Sequence, residues 1–94
     1  WRCIARMIFE KERRPFQAAI GIPRGGVELG RWLNEYSTQN PEHPYLIVDD
    51  VLTTGGSMDE YKEEHFDGKE SFGWVVFARK QPQPWVKALF QMPN

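Results

Sequence analysis

Hydrophobic residues recur along the chain with two different spacings. In three segments they return every three or four positions, as one buried face of an α-helix requires: residues 2–12, residues 27–37 and the stretch that follows residue 57. Three other segments, 17–22, 45–48 and 73–78, are short, apolar and free of helical periodicity. Segments of this second kind are typical of strands that are buried on both faces of a parallel sheet.

The order of these segments predicts the fold. After a first helix, which Pro15 closes, strands and helices alternate, and this order indicates a small three-layer α/β domain: a parallel sheet with helices on both faces. We expect residues 1–94 to form this single domain. The pattern assigns no structure to residues 85–92, an apolar segment between prolines. Two unusual segments, 22–26 and 49–57, fall at the carboxyl ends of predicted strands, where such sheets bind ligands.

Composition narrows the classes of partner. The 40% of hydrophobic residues favours a packed core, and 12 basic against 13 acidic residues leave a net charge of −1. A chain so balanced has no overall field that attracts nucleic acid or an anionic membrane, and no apolar run is long enough to span a bilayer. Cys3 is the single cysteine, which excludes an internal disulfide. We therefore expect a cytoplasmic protein that binds neither nucleic acid nor membrane.

The segment after the second predicted strand carries the chemistry of a sugar-phosphate site. Asp49 and Asp50 follow the apolar run directly, and carboxylates are strong acceptors for the hydroxyl groups of a vicinal diol. We expect both to face solvent at the edge of the sheet. The Thr-Thr-Gly-Gly-Ser turn that follows supplies hydroxyl donors and glycine amides at the start of a helix, which favours an anion. An ordinary capped turn would not explain an acid pair after a fully apolar strand.

Residues 46–57, Leu-Ile-Val-Asp-Asp-Val-Leu-Thr-Thr-Gly-Gly-Ser, resemble without a gap the motif with which type I phosphoribosyltransferases bind phosphoribosyl pyrophosphate (PRPP). The resemblance implies a reduced form of that family's α/β core. It implies that Asp49 and Asp50 bind the ribose 2′- and 3′-hydroxyls. The rest of the implied PRPP site consists of Val51, Leu52, Thr53, Thr54, Gly55, Gly56 and Ser57, the last five around the 5′-phosphate.

Residues 21–26, Gly-Ile-Pro-Arg-Gly-Gly, form a second candidate anion site. Gly25 and Gly26 let backbone N–H groups approach an anion, and Arg24 adds a permanently charged planar donor. The segment resembles the pyrophosphate loop of the same family, which implies that Pro23, Arg24, Gly25 and Gly26 bind pyrophosphate. The resemblance also implies a cis peptide bond at Pro23–Arg24 or Arg24–Gly25.

The resemblance implies an activity as well. Members of the family transfer the phosphoribosyl group of PRPP to a nitrogen of a base and release pyrophosphate, and Mg²⁺ spans the pyrophosphate and the ribose hydroxyls. The implied catalytic residues are Asp49 and Asp50, which orient the ribose and act on the metal through its ligands, and Arg24, which stabilises the leaving group. Thr53 stands where relatives that use 6-oxopurines commonly carry aspartate, which favours a pyrimidine such as orotate.

The chain also departs from the family pattern. Most members have a long loop between the two motifs that closes over the substrate, whereas here only residues 27–44 separate them. The hood that selects the base is reduced to the N-terminal helix, the C-terminal tail or both. Arg79 and Lys80 follow the third strand, where the family builds part of its base or pyrophosphate site, although a solvated strand end explains them equally well.

Three functions are compatible with these features of the sequence. The first is the transferase, which we expect to be a homodimer that pairs through residues 85–92, Trp1 and Trp32. The second is a regulatory module that senses PRPP or a nucleotide without catalysis. The third, a nucleotide hydrolase, would need a Gly-Lys-Ser/Thr phosphate loop, and the sequence contains none.

Overall fold

The computed structural model describes residues 1–53 and 56–92. Four parallel strands form one sheet in the order β1-β2-β3-β4. In chain order the elements are α1 (Arg2–Glu12), β1 (Ala18–Gly21), α2 (Val27–Leu33), a 3₁₀ turn (Asn34–Tyr36), β2 (Tyr45–Leu52), α3 (Gly56–Phe66), β3 (Ser71–Ala78) and β4 (Val86–Gln91). Among the described residues, no helix has the length and apolar character that crossing a membrane requires.

The core consists of two hydrophobic clusters, one on each face of the sheet, and this confirms the predicted three-layer α/β architecture. On one face α1 and α2 pack over the sheet, and on the other face α3 does so. The first cluster is built around Ile8, Leu29, Leu33, Leu46, Val48, Phe72 and Trp74. The second is built around Ile22, Ile47, Leu52, Met58, Phe66, Val75 and Val86.

The two crossover connections of this sheet that contain a helix have opposite hands. The strands β1, β2 and β3 are consecutive neighbours, yet α2 and α3, which connect them, lie on opposite faces. One of the two connections therefore departs from the usual right-handed crossover. As a result, α2 and α3 follow the carboxyl ends of β1 and β2 on opposite faces of the sheet.

Three boundaries differ from the sequence prediction. The strand expected to end at residue 48 continues to Leu52, because it pairs with β3 at Asp49 and beyond the acid pair (Asp49 with Val75, Val51 with Phe77). The helix expected over residues 27–37 ends at Leu33 and tightens into the 3₁₀ turn. The unassigned segment 85–92 contains the edge strand β4, which pairs with β3.

The outer edge of β1 is covered by the chain that follows α2. The Asn34 side chain accepts a hydrogen bond from the Ala19 N–H (2.8 Å) and donates to the Ala19 carbonyl (2.8 Å), as a neighbouring strand would. Its amide also donates to the carbonyl of Gly30 (3.0 Å). Further along, the backbone N–H of Thr38 donates to the carbonyl of Phe16 (2.9 Å). Residues that could otherwise form a loop over the site are thus used to protect this edge.

We expect Asn34→Ala to lower the free energy of unfolding by about 1–3 kcal/mol, because it removes two partly buried hydrogen bonds to Ala19 of β1 and one to Gly30 of α2. Denaturant unfolding measures the change. The matched control is Glu35→Ala, an exposed neighbour on the same turn, which should change stability by less than about 0.5 kcal/mol. Equal losses in the two variants would contradict the role assigned to Asn34.

Candidate functional site

The two sequence motifs are in contact at the carboxyl ends of β1 and β2. Gly25 lies so close to the acid pair that a Cβ at this position would collide with the Asp50 carboxylate. A Cβ on Gly26 would collide with the carbonyl oxygen of Val48. The Ile22 N–H donates to that same carbonyl at 2.9 Å. The loop 22–26 is therefore seated directly against the strand end that carries the acids.

The loop itself is compact and leaves its arginine available. The peptide bond between Pro23 and Arg24 is cis, which confirms one of the two expected positions. The N–H of Gly26 donates to the carbonyl of Ile22 at 2.9 Å and closes the loop before α2. The Arg24 side chain is exposed and has no hydrogen-bond or ion-pair partner in residues 1–53 and 56–92. Its guanidinium is free to bind an anion.

The acid pair is more enclosed than expected. Asp49 is only 9% exposed, and Asp50 is half-buried, whereas the sequence suggested that both would face solvent. The difference arises because β2 continues past the acids and keeps them inside the sheet. Each carboxylate accepts a hydrogen bond from the backbone N–H of the next residue, Asp50 or Val51, at 2.8 Å. These bonds fix the orientation of both side chains.

Burial of its carboxyl and, to a smaller extent, a hydrogen bond with the side chain of Asp50 together raise the pKa of Asp49 to about 7. The physical cause is that two carboxylates side by side are poorly hydrated and repel each other when both are charged. Near neutral pH the pair therefore holds one proton for part of the time. A cation that binds both charged carboxylates must displace that proton.

Asp49 should make stability depend on pH. Folding raises its pKa from 3.8 to about 7, so the folded protein binds this proton more tightly than the unfolded chain. The stabilisation is fully present below about pH 4 and is lost as the pH rises through about 7. We expect the unfolding free energy of the wild type to fall relative to that of Asp49→Asn by on the order of 1 kcal/mol per pH unit in this window. Denaturant unfolding of both proteins from about pH 4 to 8 tests this, and parallel curves would contradict it.

The expected phosphate loop is described in part. β2 ends at Leu52, Thr53 is exposed, and α3 begins at Gly56 with Ser57 exposed in its first turn. Thr54 and Gly55 lie outside the described residues. The amino-terminal end of a helix carries a partial positive charge, so the start of α3 is suited to a phosphate.

An open depression of about 480 Å³ lies next to the acid pair. Its lining includes Trp1, Asp50, Val51, Phe77, Arg79 and Met92. The Arg79 N–H donates to the Leu52 carbonyl at 2.9 Å, which holds the start of its side chain beside β2. Sequence reasoning placed neither Trp1 nor Phe77 at this site. The sequence feature that could have indicated Phe77 is its position: it is a bulky aromatic residue one position before the end of a strand, and the carboxyl end of that strand lies at the site.

A second depression, of about 530 Å³, lies against α3 and contains no residue of either motif. Its aromatic wall is Trp85, whose indole N–H donates to Asp59 at 2.9 Å. The Lys62 ammonium lies 4.7 Å from the centre of the same ring. Because the indole is already engaged on its edge and on its face, we assign the candidate site to the smaller depression beside the acids.

The donor set fits a metal that is shared with a substrate. The described residues contain no group of three or more side chains able to hold a metal ion by themselves. The acid pair does offer carboxylate oxygens, and Mg²⁺ commonly takes one or two carboxylates and draws its other ligands from water and substrate phosphates. Asp49 and Asp50 are thus compatible with Mg²⁺ that arrives with a phosphorylated ligand.

Comparisons of sequence find no counterpart: no protein-family model matches the chain, and no curated protein is significantly similar to it. Comparisons of structure do find proteins with a similar fold. The fold is similar to that of an orotate phosphoribosyltransferase from Aeropyrum pernix, with a TM-score of 0.72 and 18% identity over 95% of this chain and 69% of that one. It is also similar to a xanthine-guanine-hypoxanthine phosphoribosyltransferase from Helicobacter pylori, with a TM-score of 0.61 and 15% identity over 94% and 75%. The chain has the fold of a reduced type I phosphoribosyltransferase core.

Proposed function

We propose that this protein binds PRPP together with Mg²⁺ and transfers the phosphoribosyl group to a nitrogen of a base, with release of pyrophosphate. One observation carries the proposal: the loop 22–26 lies against the Asp50 carboxylate in a phosphoribosyltransferase fold. A ligand that joins a ribose diol to a pyrophosphate through C1 spans these two features. PRPP is such a ligand.

Each part of the site has a defined task in this reaction. Asp49 and Asp50 accept hydrogen bonds from the ribose hydroxyls, and the start of α3 binds the 5′-phosphate. As the C1–O bond breaks, its electron pair leaves with pyrophosphate, and the exposed guanidinium of Arg24 stabilises the growing charge. The base nitrogen then forms the new bond to C1. Mg²⁺, when bound with the substrate, neutralises part of the pyrophosphate charge.

The acceptor that we propose is a pyrimidine with an anionic group, such as orotate. The depression beside Asp50 has aromatic and aliphatic walls, which suit a flat ring, and Arg79 at its margin suits a carboxylate. Thr53 supports the same choice, because the relatives that use 6-oxopurines commonly have aspartate at its position. Hypoxanthine and guanine are the competing acceptors.

A second candidate function is a module that senses PRPP without turnover. The observation that favours it is that the chain after α2 covers the outer edge of the sheet. Asn34 is hydrogen-bonded to Ala19 of β1, and Thr38 is hydrogen-bonded to Phe16, which precedes this strand. Residues engaged in this way cannot also close over the site and exclude water. We therefore expect ordinary affinity for PRPP and slow transfer.

The test combines three measurements on one sample. Calorimetry gives the affinity for PRPP with and without Mg²⁺, a coupled assay gives pyrophosphate release with orotate, hypoxanthine or guanine, and sedimentation gives the mass. We expect Mg²⁺-dependent binding, slow release that orotate accelerates, and a homodimer that pairs through the C-terminal segment around the exposed Phe90. Absence of PRPP binding would refute both candidate functions, and fast release with a purine would refute the acceptor.

A further inference from the structure

We infer that Trp1 forms one wall of the acceptor subsite and supplies much of the affinity for the base. The inference rests on the proposed function and adds the residue that selects a flat ring. Trp1 shares the depression of about 480 Å³ with Asp50 and Arg79, although it is distant from both in sequence. Its side chain is 49% exposed, so the indole covers part of the depression and presents the remaining surface to solvent.

The position of the acids determines which part of a bound ligand contacts the depression. A ribose whose hydroxyls are bound by Asp49 and Asp50 directs its C1 substituent away from the carboxylates, and the depression is the open space that borders Asp50. Its walls are unlike the rest of the site, because Trp1, Phe77 and Met92 are apolar and each is about half exposed. Large exposed apolar side chains grouped beside a polar site are typical of a binding surface. The indole offers a flat face on which a base can stack.

Trp1 is held in place by the packing of α1. At the far end of the helix the Glu12 carboxylate, largely buried, accepts a hydrogen bond from the Trp74 indole (2.7 Å) and pairs with the Lys87 ammonium (3.1 Å). In the middle, Phe9 stacks on Tyr36 with ring centres 4.3 Å apart. The Ala5 N–H donates to the Trp1 carbonyl (2.8 Å), so a helix anchored in this way keeps Trp1, which directly precedes it, at a fixed place relative to the sheet. Such a wall adds affinity without a large entropic cost of ordering.

The experiment compares two ligands that differ only in the base. Ribose 5-phosphate contacts the acids and the phosphate loop, whereas orotidine 5′-monophosphate adds the pyrimidine. Calorimetry of both ligands gives the ratio of their affinities, which isolates the contribution of the base. The proteins to compare are the wild type, Trp1→Ala, Trp1→Phe and a control, Met7→Ala. The control removes an exposed apolar side chain of α1 that lies outside the depression.

We expect Trp1→Ala to reduce this ratio about tenfold, the usual scale for loss of one base–aromatic stack, and to leave ribose 5-phosphate binding unchanged. Trp1→Phe should keep most of the ratio, and Met7→Ala should keep all of it. If the wild type binds ribose 5-phosphate and Trp1→Ala leaves the ratio intact, the inference is wrong and the proposed function stands. If the wild type binds neither ribose 5-phosphate nor PRPP with Mg²⁺, the proposed function fails and the inference fails with it.

Discussion

The double substitution Asp49→Asn and Asp50→Asn is expected to weaken binding of PRPP and Mg²⁺ by at least about a hundredfold. In the proposed function each carboxylate accepts a charge-assisted hydrogen bond from the ribose, worth about 1.5–3 kcal/mol, and the amide that replaces it carries no charge for the metal. Calorimetry at about pH 8 is the appropriate measurement, because the raised pKa of Asp49 leaves its carboxyl partly protonated at about pH 7.

Stability provides the first control for this prediction. Asparagine is close to aspartate in shape, and burial of charge at Asp49 is unfavourable, so the double variant should be as stable as the wild type or more stable at about pH 8. A second control is the pair Glu60→Gln and Glu63→Gln, which removes two exposed acids from α3. Affinity within about twofold of the wild type in the aspartate double variant would remove the basis for the site.

The parts of the fold that sequence reasoning predicted are those determined locally. The helices follow from spacing within ten or so residues, and the motif 46–57 specifies a strand, an acid pair and a turn in one uninterrupted run. The loop 21–26 is equally local. Because carboxyl ends of parallel strands lie at one edge, the prediction that the two motifs meet required only the order of the elements, and the contact of Gly25 with Asp50 agrees with it.

The features that the sequence did not predict depend on contacts between residues that are distant in sequence. Residues 86–91 contain a lysine within a short apolar run, which is compatible with either a strand or a helix, and pairing with β3 decides for the strand. The burial of Asp49 has the same origin, because β3 holds β2 in extended form through the acids. The place of Trp1 beside Asp50 depends on the packing of α1 across the whole sheet. No local pattern encodes these contacts.

The close packing of the two motifs leads to the remaining prediction: Gly25→Ala should weaken PRPP binding by about tenfold to a hundredfold. The backbone of Gly25 does not have the positive φ that would exclude alanine, so the effect is steric. The added methyl group must displace either the loop 22–26 or the Asp50 carboxylate, and overpacking of this kind typically costs about 1–3 kcal/mol. Calorimetry with PRPP and Mg²⁺ measures the loss.

Two comparisons make the Gly25→Ala result specific to the contact between loop and acid. Ribose 5-phosphate lacks the pyrophosphate, so its affinity should fall less than that of PRPP if the loop is the part that moves. Val27→Ala shortens an exposed side chain two residues further on, at the start of α2, and should change neither affinity. If Gly25→Ala and Val27→Ala both bind PRPP as the wild type does, the loop 22–26 is not positioned by its contact with Asp50. That contact then no longer supports the proposed function.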